Sequence, residues 1–225
     1  MNYLNTLLFG YYPYVAMTVF LVGSLLRFEK GQYTWRTGSS QLLRSGELRL
    51  GSNLFHIGIL MLFVGHTVGL LTPPDVYHAL GLSTSAKQVL AIVAGSVFGG
   101  LCAWGLYILI RRRLYDPRIR ATSSRMDIFI LLLIAFQLGL GLLTLPISLF
   151  HLDGANMLVL ADWAQRIVTF RGGAADVIAD VNWIFKLHLF LGTTLFLVFP
   201  FSRLVHIWSA PVGYVARPYQ VVRRR

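Results

Sequence analysis

The 225-residue chain contains few charged residues, a single cysteine and no long polar segment. Charged residues make up 13% of the sequence, which is about half the share typical of soluble domains. One cysteine, Cys102, cannot form an intramolecular disulfide, and it excludes cysteine-ligated iron–sulfur clusters and covalently attached haem. Because no polar stretch exceeds about thirty residues, a separate soluble domain is not expected.

Apolar residues, in contrast, make up 56% of the chain and occur in blocks. A bilayer core accommodates about 20 apolar residues as a helix. Five segments reach that length, at about 3–26, 51–73, 88–110, 127–150 and 182–208. The sequence therefore predicts an all-α integral membrane protein, a single membrane domain over residues 1–225 with five transmembrane helices. Residues 151–181 are predicted to form an outer lid, and residues 209–225 a cytoplasmic tail.

The basic residues are distributed unevenly between the two sides of these predicted helices. Of the 20 lysines and arginines, 16 lie in the first and third connections or near the C-terminal end. The other four are Lys87, Arg166, Arg171 and Lys186. The positive-inside rule then predicts an N-terminus outside and a C-terminus in the cytoplasm. Because the charges flank the apolar blocks, the net charge of +11 is explained by topology, and no nucleic-acid partner is expected.

Four histidines lie inside two of the predicted membrane helices. His56 and His66 are in the second helix, and His188 and His206 are in the fifth. Since these helices run in opposite directions, His66 and His188 are expected at an outer level, and His56 and His206 at an inner level. Two imidazoles at each of two depths are the donor set that bis-histidine ligation of two haems requires, with the haems between helices two and five.

The chemistry of a buried imidazole agrees with this interpretation. Burial in lipid disfavours the protonated ring. The neutral ring has one unprotonated nitrogen, which can donate its lone pair to iron. Zinc is disfavoured, since four ligands at two depths cannot converge on one tetrahedral ion. Alternatives are hydrogen-bonded core histidines, a purely structural anchor, or a haem-free transporter that uses membrane histidines as proton relays. His78 and His151 are expected to be ordinary surface residues.

The spacing of the histidines is not the same on the two helices. The 18 residues between His188 and His206 span about 27 Å of helix and return to the same face, whereas His56 and His66 are only about 15 Å apart and differ by about 80°. Two straight helices cannot hold both pairs level. We therefore expect relative tilt, or a bend at Pro200, to absorb the difference.

Small and basic residues near the histidines allow two interpretations each. Glycines of the second helix would make room for a flat macrocycle or for close helix packing; they are Gly58, Gly65 and Gly69. Arginines at the inner membrane edge would either form ion pairs with haem propionates or only set the orientation of the chain in the membrane. They are Arg111, Arg112, Arg113 and Arg203. In the lid, Leu160, Trp163, Ala164 and Ile167 share one helical face, which would lie along the membrane surface or pack on the bundle.

Several stretches are similar to those of a known family. They are GQYTWR (31–36), SNLFHIGIL (52–60), VGH (64–66), RRRL (111–114) and PFSRLVHIWS (200–209). On these residues the chain resembles the gamma subunit of respiratory nitrate reductase, a di-haem membrane cytochrome b. The resemblance covers nearly all positions, but the segment TPPDVYHALGLSTSA (72–86) departs from the family pattern and is one residue longer.

The resemblance implies an enzyme subunit that oxidises menaquinol or ubiquinol in the bacterial inner membrane. It implies His66 and His188 as ligands of an outer, distal haem, and His56 and His206 as ligands of an inner, proximal haem. From their position at the inner membrane edge, Arg203 and Arg112 are further candidate cofactor-binding residues. Lys87 would bind quinol, with Gly65 and His66 as a wall of that site.

The resemblance also implies partners and a direction of electron flow. Protons would leave to the outside, and electrons would pass through the distal and then the proximal haem to a cytoplasmic iron–sulfur subunit. Nitrate would be reduced on a separate molybdenum catalytic subunit. Residues 27–50 and 208–225 mix tyrosine, tryptophan and arginine, types that are enriched in interfaces. They would form the docking surface for the iron–sulfur subunit, or alternatively an aromatic belt with positive-inside charge. The alternative within the same chemistry is a related cytochrome b of a heterodisulfide- or sulfite-reductase-type complex.

Overall fold

A computed structural model of the chain describes residues 3–35 and 45–209, together with Gly213 and Ala216. Within these residues five helices are long and apolar enough to cross a membrane. We label them α1 (Tyr3–Lys30), α2 (Ser45–Leu71), α3 (Thr84–Tyr115), α4 (Arg125–Leu149) and α5 (Trp183–Val198). No strand occurs in the described ranges, so the prediction of an all-helical membrane protein with five long helices is confirmed.

Shorter elements connect the five helices. Four are α-helical: Pro74–Ala79, Pro117–Ala121, Ala155–Val168 and Ala174–Val177. Three are 3₁₀ segments: Gln32–Thr34, Phe199–Phe201 and Arg203–Ser209. The greater part of the predicted tail, and residues 36–44 of the predicted docking surface, lie outside the described residues.

Side-chain caps define where three of the long helices begin. Ser83 accepts a hydrogen bond from the amide of Ala86 at 3.2 Å, and Asn182 accepts one from the amide of Ile184 at 2.9 Å. At the start of α4, Ser124 and Asp127 form a reciprocal capping box with two bonds of 3.1 Å. These caps provide acceptors for amides that have no partner within the helix.

The five helices form an open ring in which each packs on its neighbours in the order α2, α3, α4, α5, α1. Glycines set the closest of these contacts, between α2 and α3. A Cβ at Gly105 would lie 2.3 Å from the amide nitrogen of Phe55, and one at Gly58 would lie 2.6 Å from the Cβ of Cys102. The two backbones can therefore approach only because side chains are missing, which is the usual device of membrane helices.

A helix in the 151–181 connection closes the ring at one end of the bundle. Residues Ala155–Val168, the lid helix, bury Trp163, Ala164 and Ile167. Trp163 Nε1 donates to the carbonyl of Phe9 on α1 at 3.0 Å, and Gln165 Nε2 donates to the carbonyl of Leu70 on α2, also at 3.0 Å. Of the two interpretations of the lid face, packing on the bundle is the one observed.

The bundle thus has two distinct ends. We call the end covered by the lid helix the lid end. The opposite end, where Arg27, Arg113 and Arg203 lie, is the arginine end. In the sequence-based topology, the lid end corresponds to the outer side and the arginine end to the cytoplasmic side.

Candidate functional site

His66 of α2 and His188 of α5 face each other toward the lid end. Their ring centres are 6.1 Å apart, with the ring planes inclined at 45°. Among the described helices, α2 and α5 are not in extensive backbone contact. The two side chains therefore meet across a gap between helices, at the level expected from the sequence.

His56 and His206 form a second pair closer to the arginine end. Their ring centres are 6.4 Å apart, and the planes are inclined at 74°. All four histidines selected from the sequence thus occur in two pairs, with the partners that antiparallel helices predict. Neither His78 nor His151 joins these pairs; both are exposed.

Main-chain carbonyls hold the rings of three of the four histidines. His56 Nδ1 lies 2.7 Å from the carbonyl oxygen of Ser52, and His66 Nδ1 lies 2.7 Å from that of Leu62. His206 Nδ1 lies 2.6 Å from the carbonyl oxygen of Arg203. Because a carbonyl can only accept, Nδ1 carries the proton in each ring. The lone pair is then on Nε2, which is the arrangement of a metal-ligating histidine.

His188 is held differently, by helix α4. Its Nδ1 is buried and has no hydrogen-bond partner among the residues that the structure describes. Its Cε1 would lie 3.0 Å from a Cβ at Gly141. Gln137, one turn before Gly141, donates from Nε2 to the backbone carbonyl of His188 at 3.0 Å. Sequence patterns missed both α4 residues, although Gln137 is a conspicuous amide within the apolar run FILLLIAFQLGLGLL.

In both pairs, the distance between the two ring centres matches the distance expected for two imidazole rings that bind one iron from opposite sides. A histidine nitrogen binds a transition metal at about 2 Å, and the ring centre is about 1 Å farther out, so two rings on opposite sides of one iron are on the order of 6 Å apart. On the lid side, a Cβ at Gly65 or at Gly69 would have no neighbour within 4 Å. The ring separations and the open space beside Gly65 and Gly69 would thus suit a flat haem held between the two histidines of a pair.

The fifth predicted span is broken before it reaches His206. The α-helix ends at Val198, whereas the sequence predicts one helix over 182–208. His206 instead lies on the 3₁₀ segment Arg203–Ser209, beyond an extended Ser202. The expected bend at Pro200 is therefore a full interruption, because proline lacks the amide that would continue the helix.

Arginines surround one carboxylate at the arginine end. Asp127 lies 3.9 Å from Nη1 of Arg113 and 3.5 Å from Nε of Arg203. Arg113 also donates to Ser123 Oγ at 2.8 Å. Arg112 is buried, and Arg203 precedes His206 by three residues. The structure thus brings Arg203 to the neighbourhood of the second histidine pair, as expected from the sequence.

Lys87 lies at the start of α3, near the lid end. Its side chain is buried, and its ammonium lies 4.0 Å from the centre of the Tyr77 ring. Tyr77 is only 4% exposed. In the described part of the chain, Lys87 makes no hydrogen bond to Gly65 or His66, the other two residues predicted for a quinol site. The partner of Lys87, Tyr77, lies in the connection between α2 and α3.

Comparisons with known proteins return matches along nearly the whole chain. The family model described as nitrate reductase gamma subunit matches residues 5–225. The chain is 54% identical over 225 residues to the respiratory nitrate reductase 1 gamma chain of Escherichia coli, covering 100% of both chains. It is 50% identical over 224 residues to the respiratory nitrate reductase 2 gamma chain of that organism, covering 100% of this chain and 99% of the relative. It is 38% identical over 219 residues to the nitrate reductase gamma chain of Bacillus subtilis, covering 97% and 98%.

Proposed function

Because the chain belongs to the nitrate reductase gamma subunit family, the haem-containing membrane subunit of an oxidoreductase complex, we propose that it holds two b-type haems and oxidises quinol. The observation that carries this proposal is the pairing of all four membrane histidines at ring separations of 6.1 and 6.4 Å. The full-length similarity to gamma chains favours nitrate reductase over a heterodisulfide- or sulfite-reductase-type complex.

In this proposal Nε2 of His66 and Nε2 of His188 bind the iron of the distal haem, and those of His56 and His206 bind the iron of the proximal haem. The bonds from Nδ1 to main-chain carbonyls support it, because they fix the tautomer that leaves Nε2 available. Arg203 and Arg112 would neutralise the haem propionate groups near the arginine end. When bound, the haems supply one-electron carriers between the two ends of the bundle.

The proposed quinol site is at the lid end. Lys87 donates a hydrogen bond to a quinol ring oxygen, and Gly65 and His66 form a wall of the site. The packing of the Lys87 ammonium over Tyr77 supports this assignment, since it holds the donor in one place. Oxidation of one quinol releases two protons and two electrons, and the protons leave on the lid side.

The proposed orientation puts the arginine end in the cytoplasm and the N-terminus outside, in a bacterial inner membrane. The 16-to-4 division of lysine and arginine supports it. Electrons leave at the arginine end to an iron–sulfur subunit, and a molybdenum subunit reduces nitrate. Moving electrons inward while protons leave outward stores about 2.3 kcal/mol per charge for each 100 mV of membrane potential.

Single-histidine variants of the intact complex test the ligand assignment. We expect His66→Ala or His188→Ala to remove one of two haems per gamma chain and to abolish reduction of the remaining haem by quinol. The measurements are haem content by pyridine haemochrome and a reduced-minus-oxidised spectrum after quinol addition.

Two other histidines of the same chain provide matched controls. His78→Ala and His151→Ala change exposed imidazoles in the lid-end connections and should leave both haems in place. Retention of two haems in His66→Ala or His188→Ala would contradict the proposal.

A further inference from the structure

The fifth span is interrupted between Val198 and Arg203, before the segment that carries His206. Phe199–Phe201 form one 3₁₀ turn, and Ser202 is extended, with φ −114° and ψ 179°. A second 3₁₀ segment then begins at Arg203. Such an interruption deprives carbonyl oxygens of their helical donors, and in a membrane these oxygens need donors from elsewhere in the protein.

Arg27 of α1 supplies those donors. Its Nη1 donates to the carbonyl of Pro200 at 2.7 Å and to the carbonyl of Ser202 at 2.8 Å. Its Nη2 donates to the carbonyl of Thr34, at the end of the next 3₁₀ turn, at 3.1 Å. One guanidinium therefore joins α1 to two carbonyls of the interruption through Nη1 and to Thr34 through Nη2. The single nitrogen of an ammonium cannot reproduce this fixed planar set of donors.

The rest of the same α1 face closes on the interruption. Gly23, four residues before Arg27, is so close to Pro200 that a Cβ would lie 2.8 Å from the proline ring. The ring of Phe20 packs at 4.8 Å from Phe199 and at 5.5 Å from Trp208. Three residues three to four positions apart on one helix share a face, so α1 presents a continuous surface to the broken segment.

We propose that Arg27 is a positioning residue for His206. The histidine follows Ser202 by four residues, and its Nδ1 is fixed to the carbonyl of Arg203, so its direction depends on the path of the chain through the interruption. Arg27 sets that path by holding the Pro200 and Ser202 carbonyls. This inference rests on the proposed function, in which His206 binds the proximal haem.

A role of Arg27 in topology alone is the competing explanation, because it is one of the basic residues of the first connection. The two explanations differ for lysine, which keeps the charge but not the fork of donors. Arg27→Lys should retain topology yet lose the planar set of bonds that holds the Pro200 and Ser202 carbonyls and the Thr34 carbonyl at the same time. Lys30→Gln is a matched control, since Lys30 is an exposed cation at the end of the same helix.

The experiment compares Arg27→Lys, Arg27→Gln, Lys30→Gln and His206→Ala in the purified complex. The readouts are haem content, the midpoint potentials of the two haems and the low-temperature electron paramagnetic resonance (EPR) signals of the oxidised haems. The signal lost in His206→Ala identifies the proximal haem. We expect both Arg27 variants to shift or at least halve that signal, while the distal signal and the Lys30→Gln spectrum stay as in the parent.

Three results would overturn the inference or separate it from the proposed function. A parent-like proximal signal in Arg27→Gln, or full restoration by Arg27→Lys, would show that geometry at Arg27 does not matter. Retention of both haems in His206→Ala would refute the proposed function instead. If Arg27→Gln does not accumulate, Gly23→Ala replaces it in the comparison, because its added Cβ would lie 2.8 Å from the Pro200 ring and leaves the charge unchanged. An altered proximal signal in Gly23→Ala would support the inference, and an unaltered signal would refute it.

Discussion

Replacing Gly141 with alanine adds one methyl group directly against the ring of His188. The added Cβ would lie 3.0 Å from Cε1, 3.6 Å from Nε2 and 3.7 Å from Nδ1 of that ring. An ordinary contact of this kind falls between 3.4 and 4 Å. The ring must therefore retreat by a few tenths of an ångström, or α4 and α5 must separate.

The expected cost follows from the behaviour of well-packed interiors. Extra methyl groups in such sites cost about 1–3 kcal/mol, and each 1.4 kcal/mol corresponds to a factor of ten in an equilibrium constant, so haem retention at the His66–His188 pair should weaken roughly 5- to 150-fold. Alanine is also the better helix former by about 1 kcal/mol. That gain opposes the loss but is the same for any glycine inside α4.

Gly139 provides the matched control on the same helix, because a Cβ there would have no neighbour within 4 Å. The assay is the loss of distal haem from the purified complex to an excess of apomyoglobin, together with the EPR signal of the oxidised haem. We expect faster loss and a shifted signal in Gly141→Ala, and neither change in Gly139→Ala. Equal behaviour of the two variants would refute the argument that α4 fixes His188.

Two further predictions concern other parts of the bundle. Gly105→Ala puts a Cβ 2.3 Å from the Phe55 amide nitrogen, which cannot move aside, so the free energy of unfolding should fall by about 1–3 kcal/mol. Gly100→Ala has open space around its Cβ and should not lower the free energy of unfolding. A loss of equal size in Gly100→Ala would contradict the packing argument. Tyr77→Leu removes the ring under Lys87, worth about 0.5–2 kcal/mol, and should raise the KM for quinol severalfold with little change in kcat, whereas Tyr77→Phe should not; an unchanged KM in Tyr77→Leu would count against Lys87 as the quinol donor.

Hydrophobic block length was sufficient to locate the five spanning helices, but not their ends. The structure extends α3 to Tyr115, past the predicted end at 110, because RRRL continues the helix beyond the apolar block. It also begins α2 at Ser45 rather than 51. Apolar composition reports the part of a helix that lipid surrounds, whereas the helical hydrogen-bond ladder continues into water until a cap or a proline stops it.

The histidine pairs could be predicted because they depend only on the depth of each histidine in the membrane and on the direction in which its helix runs. The residues that fix the rings could not be, since their roles depend on the register between two helices. Gly141 matters because it is level with His188, and a single sequence does not contain that register. The role of Arg27 could not be predicted for a different reason. The positive-inside rule already explains a basic residue that follows an apolar block, so the sequence gives no sign of a second role.

The order of the helices in the ring has a consequence for biosynthesis. Among the five helices, α1 is synthesised before the others but finds its partners late. The bond from Trp163 to Phe9 spans 154 residues, and the bond from Arg27 to Pro200 spans 173. At a synthesis rate of about 5–20 residues per second, α1 waits roughly 10–30 s in the membrane before its anchors exist. The helix inserted first is thus secured last, and a chain that stops before Pro200 leaves α1 without the clamp at the arginine end.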